Sequence, residues 1–414
     1  MDYGLIGERL SHSFSKEIHN KIANYHYELK EIPKGEIEEF LEKKDFKAIN
    51  VTIPYKETVI PYLYKISDAA KEIGAVNTVI NKDGKLYGYN TDFSGLKALI
   101  KKNGIVIKNK KVLILGSGGT SKTAFAVAKD LGAKEILKIS RQAKQGFITY
   151  DEAITSQTDA EVIINTTPVG MFPNIDSEPI DIMNFPKLLG VVDVIYNPLS
   201  SKLVRKALEN NINACGGLYM LVAQGVFAAE KFMEKNIEVE TIDKIYKEIL
   251  SGKENIVLIG MPACGKTTIG KRLAKALNRP FIDTDEEIVK KANMEIPEIF
   301  QKFGESHFRK LESDYIINEA SKLTGSVIAT GGGAVLNRDN VSALKQNGKV
   351  YFINRPLKYL QATTDRPLSN SREALEKRYN ERYDIYKSSA DYILSAKGSI
   401  KQNTESILKD FLGE

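Results

Sequence analysis

The stretch GMPACGKT at residues 260–267 constrains this chain more than any other feature. It fits G-x-x-x-x-G-K-[ST], follows the apolar run NIVLIG and opens a helical pattern, the strand, loop and helix setting that the motif requires. Gly260 and Gly265 let backbone N–H groups wrap phosphate oxygens, and the helix N-terminus adds its positive end. Lys266 then reaches the outer phosphates, while Thr267, with Thr268 behind it, offers a hydroxyl to magnesium. Such a loop implies a buried parallel strand beneath it, and so an α/β domain.

Farther along, FIDTDEEI sets Asp283 and Asp285 two residues apart at a strand end, where alternate side chains share a face. One carboxylate would help hold magnesium through water, which suits Asp283, and the other would take substrate hydroxyls, which suits Asp285. Capping of the helix EEIVKK is the plain structural alternative for this pair. Arg309 in FGESHFRKLE, the triple glycine Gly331, Gly332 and Gly333, then Arg366 and Arg382 follow in order. Taken singly, each arginine is a solvated residue and the glycines are a turn.

A second glycine-rich loop, GSGGTSKT at residues 116–123, follows the strand VLIL and opens another helix. Gly116, Gly118, Gly119 and Thr120 form a pyrophosphate cradle, and Ser121 replaces the third glycine of the strict G-x-G-x-x-G pattern. The next strand ends in KISRQAK. A carboxylate for ribose hydroxyls is absent there, whereas Ser140, Arg141 and Lys144 suit a 2′-phosphate, so NADP is expected over NAD.

Short β-branched runs at 3–6, 48–53, 112–115, 135–139, 162–165 and 191–195 alternate with amphipathic stretches, which predicts parallel sheets with helices on both faces. The expected organisation is an α/β lobe at 1–105 closed by returning helices at 217–250, then a Rossmann lobe at 106–250. A linker at 251–254, where SGKEN breaks the helical pattern, leads to a third α/β domain at 255–414.

Composition excludes several classes. Hydrophobic residues at 42% and charged residues at 27% rule out a mostly disordered protein. The net charge of +6 is spread over lysine-rich helices that also carry glutamate, which argues against a nucleic-acid surface. Two cysteines, Cys215 and Cys264, make neither a disulfide framework nor a zinc site and fit a reducing cytoplasm. The start has no basic leader before an apolar core, and no apolar run approaches about 18 residues, so neither export nor membrane association is expected.

Read in order, GxxxxGKT, DTD, FRxxE, GGGA, RPL and the arginine of the last lid-proximal helix resemble shikimate kinases over essentially all of residues 255–414. The resemblance implies a nucleoside-monophosphate-kinase-like fold that uses ATP and magnesium. It places Asp285, Arg309, Arg382 and Gly331 to Gly333 around shikimate and Arg366 on the nucleotide phosphates. Asp285 would orient the attacking hydroxyl, while Lys266, magnesium and Arg366 spread the charge of the transferring phosphoryl group. Only LQATTD separates Tyr359 from Arg366, a lid shorter than that of typical members and lacking the arginine that often precedes it. Altered nucleotide affinity or lid closure is the expectation.

Before residue 251, SHSFS, NVTIPYK, GAVNT, GYNTDFSG, NTTPVGM, DVIYNP and GLYMLVAQG resemble shikimate dehydrogenases, again in order. This resemblance implies Ser13 and Ser15 on the substrate carboxylate, Thr52, Asn77 and Gln224 on ring hydroxyls, and Tyr196 beside the nicotinamide pocket. Lys56 and Asp92 would be the catalytic pair, an ammonium held by a carboxylate that protonates the developing alkoxide. Together the two resemblances imply a bifunctional enzyme acting on 3-dehydroshikimate and then shikimate, with self-association left open. Two alternatives stand beside it: a kinase half reduced to a regulatory module, and a quinate-type dehydrogenase using NAD.

Overall fold

The computed structural model of the chain describes residues 1–10, 14–143, 145–360 and 371–413, so Ser13, Lys144 and Arg366 lie outside the described residues. The chain forms two compact units, Met1–Ile249 and Leu250–Glu414. No helix among the described residues is long and apolar enough to cross a membrane.

The first unit holds two sheets. Strands β1 (Tyr3–Gly7), β2 (Tyr27–Glu31), β3 (Ala48–Val51), β4 (Lys65–Ile66), β5 (Thr78–Lys82) and β6 (Lys85–Tyr89) form one, in the order β2-β1-β3-β5-β6-β4. Its first three strands are parallel, but β5 runs antiparallel to both β3 and β6. The reversal between β5 and β6 is local: Asp83 and Gly84 take φ of 52° and 77°, the left-handed pair that closes a two-residue hairpin. The dipeptide Asp-Gly in NKDGK carries that signal, which the alternation of strands and helices does not.

Strands β7 (Lys111–Leu115), β8 (Glu135–Ser140), β9 (Ile148–Thr149), β10 (Val162–Asn165), β11 (Gly190–Asp193) and β12 (Asn213–Cys215) make the second sheet, ordered β12-β11-β10-β7-β8-β9. Every pairing in it is parallel. The strand order reverses between β7 and β10, and in doubly wound sheets a crevice opens at that point beyond the carboxyl ends of the strands. Val112 to Leu115 and Val162 to Ile164 are buried throughout, as expected of strands covered on both faces.

The helix Leu218–Met233 returns to pack on the helices Thr91–Lys102 and Ser15–Ile22. Close approach depends on Gly95, whose missing side chain would stand 2.8 Å from the Met220 carbonyl oxygen and 3.0 Å from Gln224 Cβ.

In the second unit β13 (Asn255–Ile259), β14 (Phe281–Asp283), β15 (Val327–Ala329), β16 (Gly348–Asn354) and β17 (Tyr392–Ser395) form a wholly parallel sheet, ordered β14-β15-β13-β16-β17. The phosphate loop therefore leaves the central strand.

The expected break at 251–254 is not a break: the helix Val239–Lys253 continues through Ser251 and Gly252, leaving only Glu254 before β13. Glu254 N donates to the Leu250 carbonyl at 2.7 Å. The last carbonyls find donors too, Gly325 N on Lys253 O at 2.7 Å and Arg279 on those of Ser251 and Glu254. A helix end so satisfied persists through residues whose composition suggests a loop.

Candidate active sites

In the first unit Thr52 follows β3, and a turn in which Tyr55 N donates to Thr52 O leads to Lys56. Val76 N holds the Lys56 carbonyl at 2.8 Å, so the backbone of this turn is anchored to the segment carrying Asn77. Asn90 caps the helix Thr91–Lys102, its side-chain oxygen accepting from Phe93 N at 3.1 Å. Asp92, in the first turn, is thus not the cap. It meets Lys56, Oδ2 to Nζ, at 2.6 Å, with the two side chains only 11% and 16% exposed. An ion pair so largely withdrawn from water is held in one geometry.

Asn77 is buried beside them. Its Nδ2 donates to Thr91 Oγ1 at 3.1 Å, and its Oδ1 accepts from Thr91 N at 2.7 Å and Thr78 Oγ1 at 3.1 Å. Asn50, below it, donates to Thr78 Oγ1 and accepts from Tyr27 OH at 2.7 Å. These supporting residues, Asn50, Thr78 and Thr91, were not singled out from the sequence although each lies inside a quoted motif.

Gln224 lies over Gly95 on the Asp92 helix. Ser15 is the first residue of its helix and buried, and the Tyr196 ring lies 5.3 Å from that of Phe14 next to it. His19 is stacked on Tyr27 at 3.9 Å and its pKa is pushed down to about 3 by burial, so it is a neutral core residue.

The helix Gly119–Asp130 starts at the reversal point of the second sheet with Gly118 as its cap. Gly116 needs to be glycine, with φ of 115° and Thr166 Oγ1 2.7 Å from where a side chain would begin. Gly118 and Gly119 have no such need: no atom lies within 4 Å of their missing side chains and their φ values are not positive. That open approach to a helix N-terminus fits a dinucleotide pyrophosphate.

Ser140 is buried, its hydroxyl donating to the Gln142 carbonyl, and Arg141 is exposed on the same turn. A cavity of about 410 Å³ beside the helix is lined by Ser117, Ser121, Lys122 and Lys138 among others. Lys138 is a cation that sequence reasoning missed, standing 4.5 Å over the Phe147 ring.

In the second unit Gly260 and Gly265 take φ of 145° and 105°, and Lys266 Nζ folds back onto the carbonyls of Gly260 at 2.8 Å and Met261 at 3.0 Å. Thr267 Oγ1 donates to Asp283 Oδ2 at 2.9 Å, which puts the two expected magnesium-side groups in contact. The strand β14 ends at Asp283, and its other oxygen caps the helix Thr284–Ala292 by accepting from Asp285 N. Asp283 and Asp285 both line one cavity, but through a helical first turn and not through strand alternation.

That cavity, about 710 Å³, is also lined by Lys266, Thr267, Thr268, Arg309, Glu312, Arg382 and Gly331 to Gly333. Arg309 sits on the helix Ile296–Asn318 after a kink at Gly304. It is bound to Glu312 at 2.7 Å and Glu305 at 3.1 Å. Arg382 Nη1 donates to the Gly332 carbonyl at 2.9 Å, and Tyr386 OH donates to the same oxygen.

The triple glycine is imposed by this convergence. A Cβ at Gly333 would overlap the Arg309 guanidinium, one at Gly332 would stand 2.8 Å from Pro262 Cδ, and one at Gly331 would overlap Glu312 Oε1 and lie 2.6 Å from Asp285 Oδ1. Glu312, 1% exposed, is a site residue the sequence reading passed over, although FRxxE places it one turn after Arg309. Burial pushes its carboxyl above the ordinary value against the pull of Arg309, and the charge of Asp285 pushes the same way.

One family model, shikimate kinase, matches residues 262–412, and another, the shikimate dehydrogenase substrate binding domain, matches residues 5–79. The shikimate dehydrogenase (NADP(+)) of Clostridium beijerinckii is 39% identical over 262 residues, which cover 59% of this chain and 96% of that protein. That of a Bacillus cereus strain is 35% identical over 273 residues, covering 60% and 99%. Among solved structures, shikimate dehydrogenase 1 from Peptoclostridium difficile matches with a TM-score of 0.56 at 34% identity, over 60% of this chain and 98% of that one. Shikimate 5-dehydrogenase from Thermus thermophilus, in complex with NADP(H) and shikimate, matches with a TM-score of 0.54 at 25% identity, over 60% and 99%. Relatives matched over nearly their whole length by about 60% of this chain, and a kinase model whose residues 262–412 lie within the second unit, locate the chain: it belongs to the shikimate dehydrogenase family and continues past the length of those relatives into a shikimate kinase domain.

Proposed function

We propose that the first unit reduces 3-dehydroshikimate to shikimate with NADPH, and that the second transfers the γ-phosphoryl group of ATP to the 3-hydroxyl of shikimate. The observation that carries the pairing is the kinase cavity, which joins a phosphate-holding end at Lys266 and Thr267 to a carboxylate-holding end at Arg309 and Arg382. A compact acid with ring hydroxyls bridges two such ends, and the first unit has the groups to make that acid.

In the reductase site NADPH, held at the N-terminus of the helix Gly119–Asp130, supplies the hydride. Lys56 donates a proton from Nζ to the carbonyl oxygen as that oxygen becomes an alkoxide, and Asp92 holds the ammonium in place. Ser15, Thr52, Asn77, Tyr196 and Gln224, with Ser13 outside the described residues, orient the ring acid. Gly116, Gly118, Gly119 and Thr120 cradle the pyrophosphate, and Ser140 and Arg141 take the 2′-phosphate, with Lys144 a further cation outside the described residues.

In the kinase site ATP with magnesium supplies the phosphoryl group. Thr267 and Asp283 present oxygen ligands on the magnesium side, and Lys266 moves from the loop carbonyls onto phosphate oxygens. Asp285 orients the attacking hydroxyl, Arg309 and Arg382 grip the carboxylate, and Arg366, outside the described residues, acts from the lid. Cys215 and Cys264 are buried free thiols, in keeping with a reducing cytoplasm as the place of action.

The reading is tested by giving the purified protein 3-dehydroshikimate, NADPH and ATP and following shikimate, its 3-phosphate and ADP. NADPH oxidation without phosphorylation would reduce the second unit to a nucleotide-binding module.

Two substitutions test individual assignments. Arg141→Asp is expected to invert cofactor choice, because a carboxylate repels the 2′-phosphate and accepts from ribose hydroxyls. Comparing KM for NADPH and NADH decides it, and an unchanged preference would hand the phosphate to Lys122 or Lys138. Gly333→Ala is expected to push the Arg309 guanidinium out of its place. The KM for shikimate as kinase substrate should rise by about tenfold or more with reduction unaffected, the scale of one lost charge-assisted hydrogen bond. An unchanged KM would mean that Arg309 does not hold the acid.

A further inference from the structure

Among the described residues, the kinase cavity contains one cation that neither the motifs nor the roles above account for. Arg378 lines it together with Arg309 and Arg382, and sits one turn before Arg382 on the helix Arg372–Ser389. Residues so spaced are neighbours on one helix face, their Cβ atoms about 5–6 Å apart.

The four basic residues that line the cavity among the described residues have different commitments. Arg309 is ion-paired with Glu305 and Glu312, and Lys266 is bonded to loop carbonyls. Arg382 donates to Gly332 O, while the bond from Arg378, to Ala374 O of its own helix, is long at 3.4 Å. Among the described residues neither Arg378 nor Arg382 has a carboxylate within ion-pair distance. Partial burial, and next the charge of Arg382, hold the Arg378 guanidinium below the ordinary arginine value, while Glu305 and Glu381 act the other way. Arg372, on the same helix, shows what a structural arginine does here: it is exposed and ties the carbonyls of Leu357 and Leu360.

Two adjacent guanidinium groups facing one cavity, with no carboxylate at ion-pair distance among the described residues, call for an anion. The charges that act most strongly on Arg378 come from Arg382, Glu305, Glu381 and Arg309, residues of the acid-holding end and its helices and not of the phosphate loop. We propose that Arg378 is a further substrate-binding residue of the kinase, which with Arg382 takes the carboxylate of the acid substrate. The proposal rests on the shikimate kinase reading. A planar carboxylate has two oxygens that can accept from several guanidinium groups at once, so Arg378 joins Arg382 and Arg309 at the acid-holding end. Specificity for an acid over a neutral ring polyol follows from it.

The experiment uses the full chain. Initial rates of ADP release are measured against shikimate and against ATP for wild type, Arg378→Ala and Arg378→Lys, then repeated with the methyl ester of shikimate, which lacks the charge. Arg378→Ala should raise the KM for shikimate about tenfold, the scale for a partly exposed charge-assisted bond, and Lys should recover part of it. The kcat and the KM for ATP should stay within about twofold, and the preference for acid over ester should shrink by the factor by which the KM rises. A KM for shikimate that does not move, an equal loss on acid and ester, or a shift in the KM for ATP instead would each overturn the proposal. Wild-type protein that releases no ADP in response to shikimate would instead remove the kinase reading itself, and an unchanged KM for ATP in each variant reports that the kinase unit is folded.

Discussion

Lys56→Ala should lower the reduction of 3-dehydroshikimate by a factor of about 100 to 10,000 and leave shikimate phosphorylation unchanged. The range is that of a positioned proton donor removed from a site that keeps its cofactor and substrate contacts. Truncation also leaves the Asp92 carboxylate, 11% exposed, without its partner at 2.6 Å. An uncompensated carboxylate beside a developing alkoxide opposes the reaction beyond the loss of the proton. Asp92→Asn is therefore the informative companion: it keeps the size and removes the charge that holds the ammonium, and it should reduce kcat less than the loss of Lys56. Binding of NADPH should survive in both, since the Gly116 loop lies on the other sheet of this unit. The phosphate loop belongs to the other compact unit, so the kinase rate serves as an internal control. A parallel fall in both activities of folded protein would sink the independence of the two sites, and a reductase rate within about tenfold of wild type would take the proton from another donor.

The buried parallel strands were the most legible part of the fold, because a strand covered on both faces must be a nearly continuous β-branched run, as VLIL and VIIN are. The hairpin between β5 and β6 escaped because its signal is a single dipeptide, Asp83-Gly84, embedded among motifs read for chemistry. The misread linker has a different origin. Ser-Gly-Lys-Glu has loop composition, but the helix end is held by Arg279 and Gly325, which lie tens of residues away in sequence. Glu254 itself is half-buried, and the loss of solvation pushes its carboxyl up to about 7, so it is not a freely solvated linker charge.

The sites divide along the same line. Lys56 and Asp92, 36 residues apart, could be paired only through resemblance, and their contact is a product of the turn after β3 and the Asn90 cap. Phosphate-loop residues were legible outright because one continuous segment does the whole task. Glu312, Lys138 and Arg378 were not: each is an ordinary charged residue until the fold points it into a cavity.

The last expected result concerns the acidic pair, where sequence alone could not separate two roles. Asp285→Asn should reduce kinase turnover by a factor of about 100 to 10,000, because an amide cannot accept the proton of the attacking hydroxyl. Asp283→Asn should act differently. Its side chain accepts from Thr267 Oγ1 through one oxygen and from Asp285 N through the other, and an amide keeps only one of these acceptors. The helix start or the threonine contact is then loosened, and a charged oxygen on the magnesium side is lost. The signature is a raised magnesium requirement, and excess metal should recover part of the rate.

Asp285→Asn should show no recovery with magnesium and little change in the KM for ATP, since Asp285 stands with Glu312 around Gly331 at the acid end of the cavity. Measuring both variants across magnesium and shikimate concentrations separates the roles. If magnesium rescues Asp285→Asn and not Asp283→Asn, the two carboxylates exchange assignments. If Asp285→Asn retains most of its turnover, the hydroxyl is oriented by another group, and Glu312, raised by burial and next to Asp285, is the residue to replace next.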